Sequence, residues 1–270
     1  MTDAQMGECP PLIFFDTGVG ALSVLRETMK LLPRAPVVYA ADYAGLPYGM
    51  KSEAELAARV PALLGRLVER YRPALATIAC TTASTIALDH VRSALDIPVV
   101  GTVPAIKPAS ELTKTGVIGL LGTRATIRQP YVDRLAADFA ADKILLRHAA
   151  PELGYAAEAK LRGEKPDSGV IADAMGGLLD QDGGERIDTV ILACTPFPLL
   201  RDELAAAAQR PIEFIDGAMG IARRIAYLTW DMSWPSEGGE GIFVTTGDLA
   251  DIAPYRSALR KYGISRFEKL

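Results

Sequence analysis

The chain has 270 residues, 49% of them hydrophobic, and carries a formal net charge of −4 from 29 basic and 33 acidic side chains. This length and apolar content suffice for one large α/β domain or two smaller ones, and the slightly acidic balance argues against nucleic acid or an anionic membrane as a partner. No apolar run reaches the roughly 18 residues of a membrane span, and the first residues lack the charged and apolar segments of a signal peptide. We therefore expect a cytoplasmic protein that does not associate with a membrane.

Short apolar runs alternate with amphipathic stretches along the chain, which predicts strands that alternate with helices. The predicted strands, in chain order, are residues 12–16, 37–42, 75–80, 99–103, 116–122, 143–147, 188–194, 212–216 and 242–248. Apolar residues at helical spacing predict helices at residues 20–32, from Ser52 to Tyr71, up to Ala94 and after residue 248. Ser52 and Glu55 form the pattern of a capping box at the start of the second helix.

The predicted strands are apolar along their whole length rather than at alternate positions. Such runs are typical of parallel strands that helices cover on both faces of the sheet. The number of these runs is high for a single sheet. We therefore predict an α/β fold with two parallel-sheet lobes.

Polar residues directly follow several of the apolar runs, and open parallel sheets bind their ligands at that edge. The distinctive strand ends are Asp16-Thr17, Cys80-Thr81-Thr82, Gly122-Thr123 and Cys194-Thr195. Two of the three cysteines thus occupy equivalent positions, each after a strand and before a predicted helix. If the two halves of the chain face each other, these two thiols flank a single cleft.

Two interpretations of Cys80 and Cys194 are open. A cysteine at a strand end is commonly a small buried hydrophobic residue. Alternatively, the N–H groups and the dipole at a helix N-terminus favour a thiolate, and would bring a thiol pKa that is ordinarily near ~8.5 closer to neutral. The third cysteine, Cys9, precedes two prolines, and we assign it no function.

The cysteine and histidine spacing does not indicate a disulfide framework or a metal site. Three cysteines without a CxxC pair are atypical of either. His90 falls inside a helical pattern and His148 just after a strand, and neither adjoins a cysteine or serine at a strand end. A Cys–His protease site or a histidine-based zinc site is therefore poorly supported.

The other polar residues also allow two interpretations each. Asp16 is either a capping or turn residue, or a carboxylate that binds a substrate ammonium or assists a proton transfer. The loop at residues 47–52 is either a plain turn or a site whose backbone N–H groups hold a carboxylate. The threonines either cap helices or form a small polar pocket for a polyanion; they are Thr81, Thr82, Thr123, Thr126 and Thr195. The glycines after Asp16 do not complete a phosphate-binding loop, because the third glycine position holds Ser23.

Six segments of the chain resemble the cofactor-independent glutamate racemases and occur in the order found in that family. They read FDTGVGALSVLR, LPYGMKS, ACTTAS, VIGLLGTRATI, ILACTPFPLL and FVTTGD, and the resemblance extends from about residue 12 to about residue 263. It implies one lobe formed by residues 1–101 and 214–270, a second lobe formed by residues 102–213, and an active site in the cleft between them. It also implies a homodimer that supplies D-glutamate for peptidoglycan without a cofactor or metal.

The resemblance assigns roles to individual residues. Cys80 is implied to remove the α-proton of the D-enantiomer and Cys194 that of the L-enantiomer, while Asp16 assists near the first thiol. Glu158 loosely matches an acidic residue on the side of the second thiol. The residues implied to bind the amino and carboxylate groups of the substrate are Thr17, Pro47, Tyr48, Gly49, Thr81, Thr82, Thr123, Thr126 and Thr195.

The chain departs from the family pattern beside both thiols. Thr81 stands where the family usually has an asparagine that contacts the substrate, and Pro196 stands where it usually has a histidine that supports the second thiol. Thr195 and Pro196 instead predict an N-cap followed by proline at the first position of a helix. Several functions therefore stay open: glutamate racemisation with one slower half-reaction, racemisation of aspartate or another amino diacid, a one-thiol lyase or hydrolase, and a binding protein without catalysis.

Overall fold

The structure of the protein is a computed structural model, and it describes residues 9–270. Its strands are β1 (Leu12–Asp16), β2 (Val37–Ala41), β3 (Leu75–Ile78), β4 (Val99–Val100), β5 (Val117–Gly122), β6 (Ile144–Ala149), β7 (Thr189–Leu192), β8 (Glu213–Ile215), β9 (Gly241–Thr245) and β10 (Ile264–Lys269). Its α-helices are α1 (Leu22–Leu31), α2 (Glu53–Tyr71), α3 (Thr81–Ala94), α4 (Ile106–Leu112), α5 (Arg124–Arg128), α6 (Pro130–Phe139), α7 (Glu152–Leu161), α8 (Ser168–Leu179), α9 (Arg201–Ala208), α10 (Ala218–Leu228), α11 (Leu249–Ile252) and α12 (Arg256–Arg260). Short 3-10 turns include Tyr43–Gly45, Tyr48–Met50 and Phe197–Leu200.

The chain divides into two compact units. The first unit runs up to Thr102 and resumes from Ala218 to Leu270, and the second is Val103–Gly217. Both boundaries between the units come later in the chain than the family resemblance implies. Thr102 belongs to the first unit, where its N–H donates to Ser84 Oγ at 2.8 Å. Residues 214–217 belong to the second unit, because β8 pairs with β7 there.

The sheet of the first unit has the strand order β10-β9-β2-β1-β3-β4, and all of its paired strands are parallel. Every residue of β1 is buried, which its unbroken apolar run before Asp16 explains. Phe15 is in register with Ile78 of β3, and the N–H of Ala79 donates to the carbonyl of Phe15 at 2.9 Å. The chain segments that follow β1 and β3 therefore leave the sheet side by side.

The sheet of the second unit has the order β6-β5-β7-β8 and is also parallel throughout. Leu121 of β5 is in register with Leu192 of β7, and the N–H of Ala193 donates to the carbonyl of Leu121 at 2.8 Å. The segments that follow β5 and β7 are therefore neighbours, as those after β1 and β3 are in the first unit.

Apolar cores lie against the sheets. In the first unit, Ile13 and Phe15 share one core with residues of α2 and α3. In the second unit, Val117 and Leu121 face a core with α7, α8 and α9, whereas Ile118 and Leu120 of the same strand face a core with α4 and α6. Burial of both faces explains why these strands are apolar throughout. The predicted α/β fold with two parallel sheets is confirmed.

The local predictions hold where apolar patterns are long and are less accurate near chain ends. Helix α2 begins as predicted, with Ser52 Oγ accepting a hydrogen bond from the N–H of Glu55 at 3.2 Å. Strand β10 was not predicted, because it is an edge strand with mostly exposed polar side chains. Its Phe267 packs against Phe243 of β9, with ring centroids 6.2 Å apart.

None of the helices in residues 9–270 combines the length and the apolar character needed to cross a membrane.

Candidate active site

Cys80 lies between β3 and α3 and is the N-cap residue of that helix. The side chain is buried, and its sulfur has hydrogen bonds with the backbone N–H groups of Thr82 and Ala83 and with the side chain of Thr17. Because α3 is 14 residues long, these N–H groups carry the positive end of a full helix dipole. The local geometry is therefore the one that the spacing of strand and helix predicts.

The protonation of Cys80 differs from the sequence-based expectation. Burial and the nearby negative charge of Asp16 raise the pKa of the Cys80 thiol to about 12. The hydrogen bonds from Thr82, Ala83 and Thr17 lower this pKa, but by less than burial raises it. Since desolvation opposes the charged form, helix-end donors alone do not offset the burial. Burial thus outweighs the helix-end donors, and the pKa of Cys80 lies above its ordinary value rather than closer to neutral.

Asp16 is the last residue of β1 and has a side chain that is almost fully buried. Its Oδ1 accepts hydrogen bonds from the N–H of Thr17 at 2.6 Å and from the hydroxyl of the same residue at 3.2 Å. Its charge acts on Cys80, so the carboxylate and the thiol are close in space. The turn interpretation and the carboxylate interpretation of Asp16 are thus compatible with each other.

The loop that carries Pro47, Tyr48 and Gly49 lies beside this thiol. Its 3-10 turn, Tyr48–Met50, contacts α3, and Tyr48 belongs to the same buried apolar cluster as Cys80. The Tyr48 hydroxyl donates to Asp42 Oδ2 at 2.6 Å. Because the Tyr48 hydroxyl is hydrogen-bonded to Asp42 inside the unit, it is not available to a substrate. The groups of this loop that remain available to a substrate are its backbone N–H groups. The space beside the Cα of Gly49 is open, since a Cβ there would meet no atom within 4 Å.

Thr81 and Thr82 form the first turn of α3, and both are buried beneath the edge where Cys80 lies. In the second unit, Thr123 follows β5 and caps α5, a helix of five residues. Its Oγ accepts from the N–H of Thr126 at 3.1 Å, and the two hydroxyl oxygens lie 3.0 Å apart. The capping interpretation therefore holds for Thr123, and the paired hydroxyls form a small polar group next to β7.

Cys194 follows β7, and β7 is the neighbour of β5, the strand that Thr123 follows. It is half-buried and packs against the apolar core on the side of α7, α8 and α9. Thr195 is buried beside it. The structure thus brings Thr123, Thr126, Cys194 and Thr195 to one edge of the second sheet.

The turn after Cys194 corrects the predicted helix start. Pro196 is the N-cap of the 3-10 turn Phe197–Leu200, and the N–H of Phe197 donates to the carbonyl of Cys194 at 3.0 Å. The α-helix of this segment, α9, begins only at Arg201. Thr195 and Pro196 are therefore not the N-cap and first residue of an α-helix; a 3-10 turn follows them instead and leads directly into α9.

His148, the histidine of the second unit, lies two strands away from the strand that precedes Cys194. His148 is on β6, which pairs with β5 on the side opposite β7, and its ring packs so closely on Gly177 of α8 that a Cβ there would overlap it. His90 is in the middle of α3. Helix α7, which carries Glu158, packs against the 3-10 turn that follows Cys194.

One cluster of functional interest is not predicted from the sequence; it is formed by Asp42, Tyr48, Arg59 and Thr246. Asp42 is a carboxylate directly after β2, whereas Asp16 is the last residue of β1, but in the sequence both end an apolar run. That shared position was a usable signal. Within residues 9–270 the structure groups no three His, Cys, Asp or Glu side chains in an arrangement that could hold a metal ion.

The high pKa of Cys80 gives an expected pH profile of alkylation. Because the thiolate is the reactive form, the rate of Cys80 modification by iodoacetamide should rise about tenfold per pH unit from about pH 7 to about pH 10 without levelling off. Peptide mass spectrometry measures this rate separately for each cysteine. A small free thiol, which levels off near ~8.5, is the control. A plateau for Cys80 near neutral pH would show that the thiolate is already formed there.

Comparisons with known proteins agree in identifying the family. The chain matches the Asp/Glu/hydantoin racemase family over residues 21–224. It is 63% identical over 258 residues to the glutamate racemase of Sphingopyxis alaskensis, covering 96% of each chain. It is 38% identical over 260 residues to that of Haemophilus influenzae, again covering 96% of each. The crystal structure of Escherichia coli glutamate racemase in complex with L-glutamate and the activator UDP-MurNAc-Ala superimposes with a TM-score of 0.89 at 39% identity, covering 97% of this chain and 98% of that one. The chain therefore belongs to the Asp/Glu/hydantoin racemase family and, within it, to the glutamate racemases.

Proposed function

We propose that the protein interconverts L- and D-glutamate by a two-base mechanism in which Cys80 and Cys194 act on opposite faces of the α-carbon. The observation that carries the proposal is the parallel construction of the two units. Each has a cysteine two residues beyond the end of an interior strand, and threonines lie at the same carboxyl edge of the sheet. The proposal requires that both thiols reach the α-carbon of one substrate.

In the D-to-L direction, the Cys80 thiolate removes the α-proton, so that the C–H bond breaks and an S–H bond forms. The Cys194 thiol gives its proton to the opposite face of the carbanion and becomes a thiolate. The L-to-D direction reverses both steps. Two groups that each hold one proton thus invert the carbon without rotation of the substrate.

Asp16 has a specific task in this scheme. Cys80 holds its proton tightly beside the Asp16 carboxylate, since burial and that charge raise the pKa of the thiol. Transfer of the thiol proton to Asp16 would give a thiolate beside a neutral acid, so that two negative charges never stand side by side. The positive ammonium group of the substrate would favour the same transfer.

The remaining site residues bind and stabilise charge. We propose that the backbone N–H groups of Tyr48 and Gly49 and the hydroxyls around the two thiols hold the carboxylates of glutamate. A dense set of donors is what the reaction requires, because negative charge develops on the α-carbon and its carboxylate as the proton leaves. The site residues proposed for binding are Thr17, Pro47, Tyr48, Gly49, Thr81, Thr82, Thr123, Thr126 and Thr195.

The position of Pro196 affects one half-reaction. Proline has no titratable group, and the segment after Cys194 begins with a 3-10 turn rather than with the first turn of an α-helix. We therefore propose that proton removal by Cys194 is the slower of the two half-reactions. We also propose that the protein acts in the cytoplasm as a homodimer and supplies D-glutamate for peptidoglycan, as the family resemblance implies.

The substrate is tested by circular dichroism with purified protein and each enantiomer of glutamate and aspartate. Glutamate should reach an equal mixture from either enantiomer, with kcat/KM for aspartate lower by about a hundredfold or more. Heat-denatured protein is the control for spontaneous change. A preference for aspartate would move the protein to a different substrate, and no change with any of the four would contradict the racemase assignment.

A further inference from the structure

A fully buried carboxylate, Asp42, follows β2 and takes no part in the proposed reaction. Its Oδ2 accepts hydrogen bonds from Arg59 Nε and from the Tyr48 hydroxyl, each at 2.6 Å. Its Oδ1 accepts from Arg59 Nη2 at 2.7 Å and from Thr246 Oγ at 2.6 Å. The carboxylate therefore joins three segments of the first unit: the loop after β2, helix α2 and the turn after β9.

The cluster of Asp42, Tyr48, Arg59 and Thr246 keeps a fixed protonation state. Burial alone would raise the pKa of the Asp42 carboxyl, but hydrogen bonds from Arg59, Thr246 and Tyr48 and the charge of Arg59 hold it below its ordinary value. Burial and the bond to Asp42 raise the pKa of the Tyr48 phenol above its usual range. The phenol therefore remains a donor and the carboxylate an acceptor at any physiological pH.

This cluster controls the position of a loop that has few other attachments. Within residues 46–50, only Tyr48 is buried. The backbone hydrogen bonds of this stretch are short turn bonds within the loop, such as Lys51 N–H to the carbonyl of Tyr48 at 3.1 Å. The side chain of Tyr48 is consequently the main connection between the loop and the body of the unit.

The same loop is the one next to the first thiol. Its turn contacts α3, and Tyr48 shares a buried cluster with Cys80. A second connection acts through Thr246, whose Oγ also accepts the N–H of Ala44 at 3.0 Å. A small displacement of the phenol would therefore shift the loop backbone relative to Cys80.

We propose that Asp42 and Arg59 are positioning residues for substrate binding: through the Tyr48 hydroxyl they fix the loop N–H groups at the place where a carboxylate of glutamate is held. The inference rests on the proposed function and adds to it which residues set the affinity for substrate. Asp42 and Arg59 do not touch the reacting atoms, so their effect falls on KM more than on kcat.

The test compares steady-state kinetics of Tyr48→Phe, Arg59→Lys and the double variant with wild type. Each single change should raise KM for glutamate roughly tenfold, as expected for the loss of a hydrogen bond to a charged group, with kcat changed by less than about threefold. The double variant should have a KM close to that of the more affected single variant, because both changes act through the same hydroxyl. If Arg59→Lys does not fold, Thr246→Val removes another donor to Asp42 and should raise KM in the same way.

Helix α2 offers a matched control. The Tyr71 hydroxyl donates to Glu268 Oε2 at 2.7 Å, and Arg70 donates to the same oxygen at 2.6 Å. Tyr71→Phe therefore deletes an equivalent bond in an equivalent cluster away from the loop, and it should lower the melting temperature without raising KM. Equal effects of Tyr48→Phe and Tyr71→Phe on KM, or no effect of Tyr48→Phe, would overturn the inference. A wild-type protein that does not racemise glutamate would instead overturn the proposed function, and the inference with it.

Discussion

Cys80→Ser and Cys194→Ser should each lower kcat for glutamate racemisation roughly a thousandfold or more, because serine is far less acidic than cysteine and neither removes nor returns the α-proton efficiently. Polarimetry or circular dichroism with both enantiomers measures this loss. Both thiols are needed in the proposed mechanism, whichever enantiomer is supplied. A one-thiol lyase or hydrolase, the main alternative on this fold, would tolerate Cys194→Ser.

The two variants should also differ from each other in D2O. Cys80→Ser should lose exchange of the α-hydrogen of D-glutamate while it retains slow exchange of L-glutamate at Cys194, and Cys194→Ser should show the reverse. The control is Cys9→Ser, since Cys9 lies outside the proposed site with its sulfur 3.4 Å from the carbonyl oxygen of Ser233. Cys9→Ser should keep wild-type turnover. Loss of exchange with both enantiomers in a single cysteine variant would indicate that the two thiols do not act on separate faces.

Gly45→Ala should be strongly destabilising. A Cβ at Gly45 would lie less than 3.0 Å from atoms of Asp42, Arg59 and Tyr48, so the buried ion pair would have to separate. Breaking a fully buried pair costs about 3–5 kcal/mol, and the partial exposure of Arg59 reduces the expected loss to roughly 2–4 kcal/mol of unfolding free energy. Urea denaturation followed by circular dichroism measures the loss.

Gly65→Ala is the matched control for Gly45→Ala. Gly65 lies inside α2, the helix that carries Arg59, and a Cβ there would meet no atom within 4 Å. Since alanine favours helix over glycine, Gly65→Ala should raise the unfolding free energy by up to about 1 kcal/mol. If the Gly45→Ala variant were as stable as the Gly65→Ala variant, the result would contradict the close packing of Gly45 against the Asp42 carboxylate.

The sequence predicts the sheets and the positions of both thiols well, because these depend on patterns that are local in the chain. An unbroken apolar run such as that of β1 requires burial on both faces, and the residue after such a run must emerge at the carboxyl edge of a parallel sheet. As expected, the carboxyl ends of the parallel strands carry the predicted site residues Asp16, Cys80, Thr123 and Cys194. Edge strand β10 lacks such a run, and its pairing depends on contacts with β9 that no local pattern shows.

Other features depend on which groups meet in space, and the sequence alone does not determine them. The motif after Cys194 fits an α-helix start, yet the segment forms a 3-10 turn before α9 begins. The position of Cys80 favours a thiolate, yet burial and Asp16 raise its pKa. Asp42 resembles Asp16 in the chain, and only its contacts with Arg59 and Thr246 show that it anchors a loop rather than adjoining a thiol.

The measurement that tests the two-base mechanism most directly is NMR of wild-type protein with L-glutamate in D2O, during the first turnovers. The two-base mechanism predicts that the D-glutamate formed carries deuterium at the α-carbon while the remaining L-glutamate keeps its hydrogen, because Cys194 removes the proton and Cys80 returns a different one. The same experiment started from D-glutamate should give deuterated L-glutamate. Product that retains the original hydrogen, or exchange of L-glutamate without inversion, would contradict the account.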